Sequence, residues 1–328
     1  MAQTARTVVI HEFGGPEVLR LEDRPVGEPG PGQVRIRHKA CGLNFIDIYQ
    51  RSGLYPNELP LTMGMEAAGE IEAVGEGVDH LKPGDRAAYA AMPPGAYAEA
   101  RVMPAAQVCP LPDEIGFDTA AAMMLKGLTV QYLFHRTTPL QRGDSVLFHA
   151  AAGGVGLIAC QWARSEGITL IGTAGSDEKC KLALDHGAAH CINYRTQDFV
   201  AETQALTDGR GADVVLDMVG GDYIGRELKC LADDGRLALI AVQGGVKSEI
   251  DAGLVLRKRL TITGSTLRPR PVAYKTELAR ALRAQVWPLI EAGRVKPVVH
   301  TVFPAAEAAA AHALMESSTH VGKMVLTW

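Results

Sequence analysis

The stretch SVLFHAAAGGVGLIACQWARSEG (Ser145–Gly167) decides how the rest of the chain is read. Ser145–His149 is a short apolar run of the length of a buried strand. Leu157–Ser165 has a helical pattern, and Gly167 stands where a helix should stop. Between them, Ala151, Gly153 and Gly156 take the three small-residue positions of a dinucleotide-binding turn. At Gly153 the missing side chain lets backbone approach a pyrophosphate. At Gly156 it lets helix and strand pack closely. The helix that follows would offer unpaired N–H groups and its positive dipole end to the anion. Gly153, Gly154, Val155 and Gly156 are therefore candidate coenzyme contacts.

Outward from this turn, apolar β-branched runs at Thr169–Thr173, Val214–Asp217 and Leu237–Ala241 alternate with helical patterns. Strands and helices in alternation predict βαβ units and a parallel sheet. The preceding part of the chain has a different texture. Short β-prone runs, Val34–Lys39, Ala67–Val74 and Arg86–Ala90, are separated by turn clusters such as Lys82-Pro83-Gly84-Asp85. After Thr263 the sequence predicts a helix over Thr276–Glu291, a strand over Val298–Phe303, a plain helix through Ala305–Ala313 and a strand over Lys323–Thr327. This is too little for a further domain. The expected organisation is α/β: a β-rich domain of residues 1–125 and 264–328, with a doubly wound Rossmann domain, 126–263, inserted in it.

The end of the second parallel strand selects the dinucleotide. A carboxylate there would hold the ribose 2′-hydroxyl of NAD, but the chain reads Thr173-Ala174-Gly175-Ser176, with no acid on the strand. Ser176 has the character of an N-cap, which places Asp177 in the first helical turn. Lys179 lies within a turn of that cap. A cation there, with Gly175, Ser176 and the turn's N–H groups, suits a 2′-phosphate and hence NADPH. Tyr194, at the next strand end, is a second candidate.

Composition excludes several classes. The chain has 328 residues, 47% hydrophobic and 21% charged, which fits about two domains with a sizeable core and no wholesale disorder. Thirty-three Lys+Arg against 37 Asp+Glu give a net charge of -4. No basic surplus exists to neutralise phosphates, which argues against nucleic acid or a membrane surface as partner. The six cysteines lack the spacing of a structural zinc site and suit a reducing compartment. No apolar secretion signal opens the chain, so a cytoplasmic location is expected.

Gly143–Gly156, with Gln161 and Arg164, resembles the signature of medium-chain dehydrogenases/reductases, and more closely of zinc-free, zeta-crystallin-like quinone oxidoreductases. The resemblance extends over the chain through Gly14–Leu19, Asn44–Pro56, Lys126-Gly127-Leu128-Thr129 and Gly322-Lys323. Up to about residue 165 the chain looks like the bacterial enzymes. From about Thr173, including Thr263–Arg270, it looks like the stress-inducible quinone oxidoreductase branch. One branch tends to carry an Arg near Ser318 that helps hold the 2′-phosphate. The resemblance implies a GroES-like catalytic domain around the Rossmann insert. The zinc alcohol dehydrogenases of the superfamily carry Cys where Asn44 stands and Gly-His-Glu where this chain has Gly64-Met65-Glu66. Asn and Met do not replace thiolate and imidazole on Zn²⁺, so no metal site is expected.

The resemblance further implies an NADPH-dependent quinone reductase, acting by hydride or single-electron transfer. Quinone reduction gains aromaticity and needs no Lewis acid; the protein mainly has to hold nicotinamide against acceptor. Asn44, Tyr49 and Tyr55 match family positions lining the cleft, where Asn44 would hydrogen-bond a ribose hydroxyl or the acceptor oxygen and Tyr55 would stack on a quinone or donate its O–H. Thr129, Val242, Gln243, Leu267 and Lys323 match positions near the nicotinamide half. No general acid and no Ser/His/Asp arrangement stands out, and His149, on a buried strand, reads as a core residue. Two rivals accompany this reading: an NADPH-dependent alkenal or enone C=C reductase, and a nucleotide-binding crystallin-like or RNA-binding protein. The resemblance also implies a homodimer, and Leu260–Thr263, ending the inserted sheet, would leave an exposed β-edge that pairing with a twin hides.

Overall fold

The computed structural model describes residues 3–328. The chain forms two compact units. One comprises the chain through Leu128 with Pro271–Glu291 and Pro297–Trp328; the other comprises Thr129–Arg270 and Ala292–Lys296.

The first unit is β-rich. Its early strands are β1 (Thr4–Ile10), β2 (Arg20–Pro25), β3 (Gln33–Gly42), β4 (Leu61–Thr62), β5 (Glu66–Val74), β6 (Arg86–Ala90), β7 (Ala100–Pro104) and β8 (Cys109–Pro110). Helix α1 (Phe45–Arg51) follows β3, and α2 (Phe117–Tyr132) follows β8. Strands β2, β1 and β4 make a small antiparallel sheet. β3 is the spine of the larger one. Its side chains alternate between buried and half-buried, so that Val34, Ile36, His38 and Ala40 face the core, as a sheet covered on one face requires.

The second unit is a parallel sheet of β9 (Ser145–Phe148), β10 (Thr169–Ala174), β11 (His190–Asn193), β12 (Ala212–Asp217), β13 (Leu231–Leu239) and β14 (Thr261–Gly264). Its spatial order is β11-β10-β9-β12-β13-β14, which reverses direction between β9 and β12. All four residues of β9 are buried, as a central strand covered on both faces demands. The connecting helices are α3 (Gly154–Glu166), α4 (Asp177–Asp185), α5 (Phe199–Leu206), α6 (Tyr223–Cys230) and α7 (Ala252–Lys258).

The chain then returns through α8 (Val272–Glu291), β15 (Val299–Pro304), α9 (Ala308–Glu316) and β16 (Lys323–Thr327). β16 pairs antiparallel with β3, Val325 opposite Gly42. That pairing carries Lys323 to the end of β3, next to Asn44.

Three local expectations are corrected. The helix after the glycine turn begins at Gly154 rather than Leu157, because extended Gly153 is its N-cap. β13 starts at Leu231 instead of Leu237, with a register shift against β12; left-handed Asp234 (φ 60°) lies in that stretch. The Ala305–Ala313 helix opens with a 3₁₀ turn, Ala305–Glu307, and runs on to Glu316.

Candidate active site

In the second unit, the turn from β9 into α3 leaves a helix N-terminus without a side-chain cap and without an acid in its first turn. Gly153 is exposed, and Gly154 and Val155 are half-buried. The first N–H groups of α3 are thus left for a ligand or water. A Cβ on Gly156 would lie 2.4 Å from the Ala151 carbonyl, and one on Gly172 would lie 2.5 Å from the Ala151 side chain. Ala151 is therefore wedged between α3 and β10, and only glycine fits on either side of it.

At the end of β10, Ser176 caps α4, its Oγ accepting from the Lys179 N–H at 3.3 Å. Asp177 stands in the first turn of α4 and accepts from Asn193 Nδ2 at 2.7 Å, so its carboxylate is tied back to β11. A Cβ on Gly175 would meet Tyr194 Oη at 2.6 Å and Arg195 Nε at 3.6 Å. Gly175, Ser176, Tyr194 and Arg195 thus gather at one strand end, with exposed Lys179 one turn into α4. Arg195 is a functional candidate that the sequence reading passed over, although it directly follows Tyr194.

Val242 and Gln243 are exposed on the loop after β13. That loop is pinned to residues 218–221. Gln243 N–H donates to the Met218 carbonyl (3.3 Å), Gly244 N–H to Val219 (2.6 Å), and Gly220 bridges Gly245. The 218–221 turn is in turn folded on Asp217, whose carboxylate accepts from the N–H groups of Val219 (2.5 Å) and Gly220 (2.8 Å). Burial and the neighbouring Glu227 raise the Asp217 carboxyl, and burial raises Glu227 as well, so the two compete for a proton. His149 lies beside them in the core. Its Nδ1 meets Thr173 Oγ1 at 2.9 Å. Its Nε2 approaches Glu227 Oε1 at 2.9 Å, with angles that do not make a hydrogen bond. Leu267 and Thr129 are half-buried, Thr129 on α2.

The first unit holds a buried polar cluster. Asn44 is the N-cap residue of α1, and Asp47 Oδ2 accepts its backbone N–H at 2.8 Å, the reciprocal half of a capping box. Asn44 Nδ2 donates to Glu66 Oε1 at 2.7 Å, and Asn44 Oδ1 accepts from Lys323 Nζ at 2.7 Å. Lys323 also forms a short ion pair with Glu66. Lys126 Nζ reaches Asn44 Oδ1 at 3.5 Å. Glu66 Oε2 accepts the Leu125 N–H at 2.6 Å, which holds this part of α2 against β5. Asp47 Oδ2 also takes the Tyr97 hydroxyl at 3.0 Å, while Asp47 Oδ1 has no hydrogen-bond partner. Burial pushes the Asp47 carboxyl up to about 7, against the pull of Lys323.

Lys323, expected near the nicotinamide, is thus committed by its ammonium to Asn44 and Glu66 and is 1% exposed. Around the exposed face of α1, Tyr49 and Tyr55 meet edge to face at 5.4 Å, and Phe45 stands 6.4 Å from Tyr49. Phe45, Leu54 and Tyr55 are exposed, an apolar surface of the sort that receives a flat ring. Glu66 and Lys126 are not legible from the sequence, because each reaches Asn44 only through tertiary contacts. Asp47 was signalled by its capping-box spacing from Asn44.

This donor set does not fit Zn²⁺. The Asn44 amide is occupied on both its atoms, the Met65 sulfur takes the Gln50 amide at 3.6 Å, and a lysine ammonium lies at Asn44 and Glu66. Among the described residues no group of three His, Cys, Asp or Glu is placed to hold a metal. The Rossmann turn does fit a dinucleotide: Gly153 is exposed at the uncapped N-terminus of α3, and a Cβ there would already crowd the Ala150 carbonyl at 3.1 Å.

Comparison with known proteins agrees with this geometry. Residues 30–113 match the alcohol dehydrogenase GroES-like domain, and residues 154–283 match the zinc-binding dehydrogenase family; the latter stretch contains neither Asn44 nor Met65. The chain is 44% identical to a quinone oxidoreductase of Pseudomonas aeruginosa over 324 residues, 98% of this chain and 99% of the relative. It is 39% identical to a 2-haloacrylate reductase of a Burkholderia species over 329 residues, 97% of each. The solved structure of Escherichia coli quinone oxidoreductase complexed with NADPH superposes with a TM-score of 0.89 at 39% identity, covering 99% of this chain and 100% of that one. Sheet order, glycine turn and full-length likeness converge: the chain belongs to the quinone oxidoreductase family of the medium-chain dehydrogenase/reductase superfamily.

Proposed function

We propose that the protein is an NADPH:quinone oxidoreductase that works without a metal. NADPH, when bound, supplies the hydride. The N–H groups at Gly153–Gly156 hold its pyrophosphate. Gly175, Ser176, Lys179 and Tyr194, joined by Arg195, hold the 2′-phosphate, where two cations and two hydroxyls suit a dianion. Val242, Gln243, Leu267 and Thr129 line the nicotinamide half. Asn44, Tyr49 and Tyr55 orient the acceptor ring, and Lys323 fixes the Asn44 amide. The observation that carries this reading is the Asn44–Lys323–Glu66 cluster. It puts fixed charges and hydrogen bonds where zinc relatives have ligands, which favours an acceptor that gains aromaticity over one needing a Lewis acid.

The likeness to a 2-haloacrylate reductase supports a second reading, reduction of a conjugated C=C. Initial rates with NADPH and NADH on 1,4-benzoquinone, 9,10-phenanthrenequinone and a 2-alkenal separate the two. Faster turnover of the quinones with NADPH is expected; turnover of the alkenal alone would replace the first reading by the second.

The protein also acts as a homodimer joined through β14, and it works in the cytoplasm. Exposure of that edge supports the dimer. Six free thiols, five of them buried, support a reducing compartment. No helix among the described residues is long and apolar enough to cross a membrane.

A further inference from the structure

Reduction of a quinone by NADPH delivers two electrons and one hydrogen. A second hydrogen must arrive as a proton at the oxygen left with negative charge. The buried cluster of the first unit contains one group suited to give it. Asn44, Asp47, Glu66 and Lys323 are each 3% exposed or less, whereas Lys126 alone of the five retains exposed surface. An incoming acceptor would meet Lys126 before any other member. Asn44 Oδ1 and the backbone of α2 hold the lysine in place, and the Leu125 N–H bond to Glu66 fixes that backbone.

We propose that Lys126 is the general acid of the reaction, its ammonium protonating the acceptor oxygen as hydride arrives. This rests on the NADPH:quinone reading above. An N–H bond of Lys126 breaks, an O–H bond forms on the reduced acceptor, and the neutral amine takes its proton back from solvent at its exposed edge. NADPH becomes NADP⁺, the quinone becomes hydroquinone, and the proton from Lys126 completes the balance.

The surroundings suit the role. Burial and the Lys323 ammonium push Lys126 down to about 7, opposed by Glu66 and Asp47. An acid is most effective when it titrates near the working pH. The groups that face it are Lys323 on β16, Glu66 on β5, and Asp47 and Asn44 at the start of α1. Glu66 is engaged by Lys323, Asn44 Nδ2 and the Leu125 N–H, so Lys126 is the cation of the cluster not clamped by a carboxylate.

The test compares Lys126→Met and Lys126→Arg with wild type on two acceptors. Arginine keeps the charge but does not release a proton at working pH. On 1,4-benzoquinone both variants should lose about 10²-fold in kcat. On tetrachloro-1,4-benzoquinone, whose reduced form is a far weaker base, the loss should be only ~3-fold, because such an oxygen needs little help from an acid. Wild-type kcat on 1,4-benzoquinone should fall as pH rises past about 7, and Lys126→Met should lack that limb. NADPH fluorescence on binding should be the same in all three proteins, which separates chemistry from folding. Equal losses on both acceptors, or full activity of either variant on 1,4-benzoquinone, would overturn the assignment. Were wild type to reduce only a 2-alkenal, the quinone reading would fail by itself. The same two variants would then be judged on that substrate, where the enolate oxygen takes the proton.

Discussion

Lys179 and Lys323 show what a residue's neighbours in sequence do and do not disclose. Lys179 stands three residues after Ser176, and the cap that binds its N–H is local, so its placement was legible from the chain alone. Lys323 forms its ion pair with Glu66 across 257 residues, and no local pattern announces such a pair. Asn44 was legible as a position where zinc relatives carry a ligand, but not as an amide held on both sides. At this scale the coenzyme reading makes a direct prediction. A phosphate–ammonium contact is a charged hydrogen bond, so Lys179→Ala should raise the NADPH Michaelis constant about tenfold. Activity with NADH, which has no 2′-phosphate, should change little. Steady-state kinetics with both coenzymes checks this; equal losses would mean that Lys179 never meets the phosphate. Arg195→Ala should behave in the same direction.

Among the elements, those whose signal is local matched the sequence best. β6 (Arg86–Ala90) and β16 (Lys323–Thr327) have the bounds their patterns predict. α3 is stopped at Gly167, which adopts the left-handed conformation (φ 74°) of a helix C-cap. β13 was the hardest to place, because its first residues, Leu231–Gly235, include two aspartates and a glycine and look like a turn. Only Leu231 of these pairs with β12, at Ala212, before the register shift that brings Arg236 opposite Val214, and such pairing is a tertiary contact. β14 carries a prediction of its own. It is the last strand of its sheet and pairs with β13 on one side, and Ile262 is 37% exposed. If this edge joins two copies, light scattering should give twice the chain mass of 35.0 kDa. Ile262→Lys should return the protein to monomer, since a charge on an edge strand opposes pairing. A monomeric wild type at micromolar concentration would remove the dimer.

Over the whole molecule, the α/β alternation after residue 129 made the parallel sheet readable, and the turn clusters before it marked a β-rich region. The strand order, β11-β10-β9-β12-β13-β14, runs outward from β9 on both sides, the doubly wound arrangement. The seven-stranded sheet was not readable in its order, because its neighbours are set by long-range antiparallel pairing such as β16 with β3. That same pairing assembles the Asn44–Lys323–Glu66 cluster, so the chemistry of the proposed acceptor site depends on the closure of that sheet. The reaction proposed for this protein is an NADPH-fed reduction that no metal assists. Its sharpest measurement is NADPH oxidation by 1,4-benzoquinone with protein dialysed exhaustively against a chelator. An undiminished rate is predicted; a rate that collapses on chelation and returns with added Zn²⁺ would contradict it.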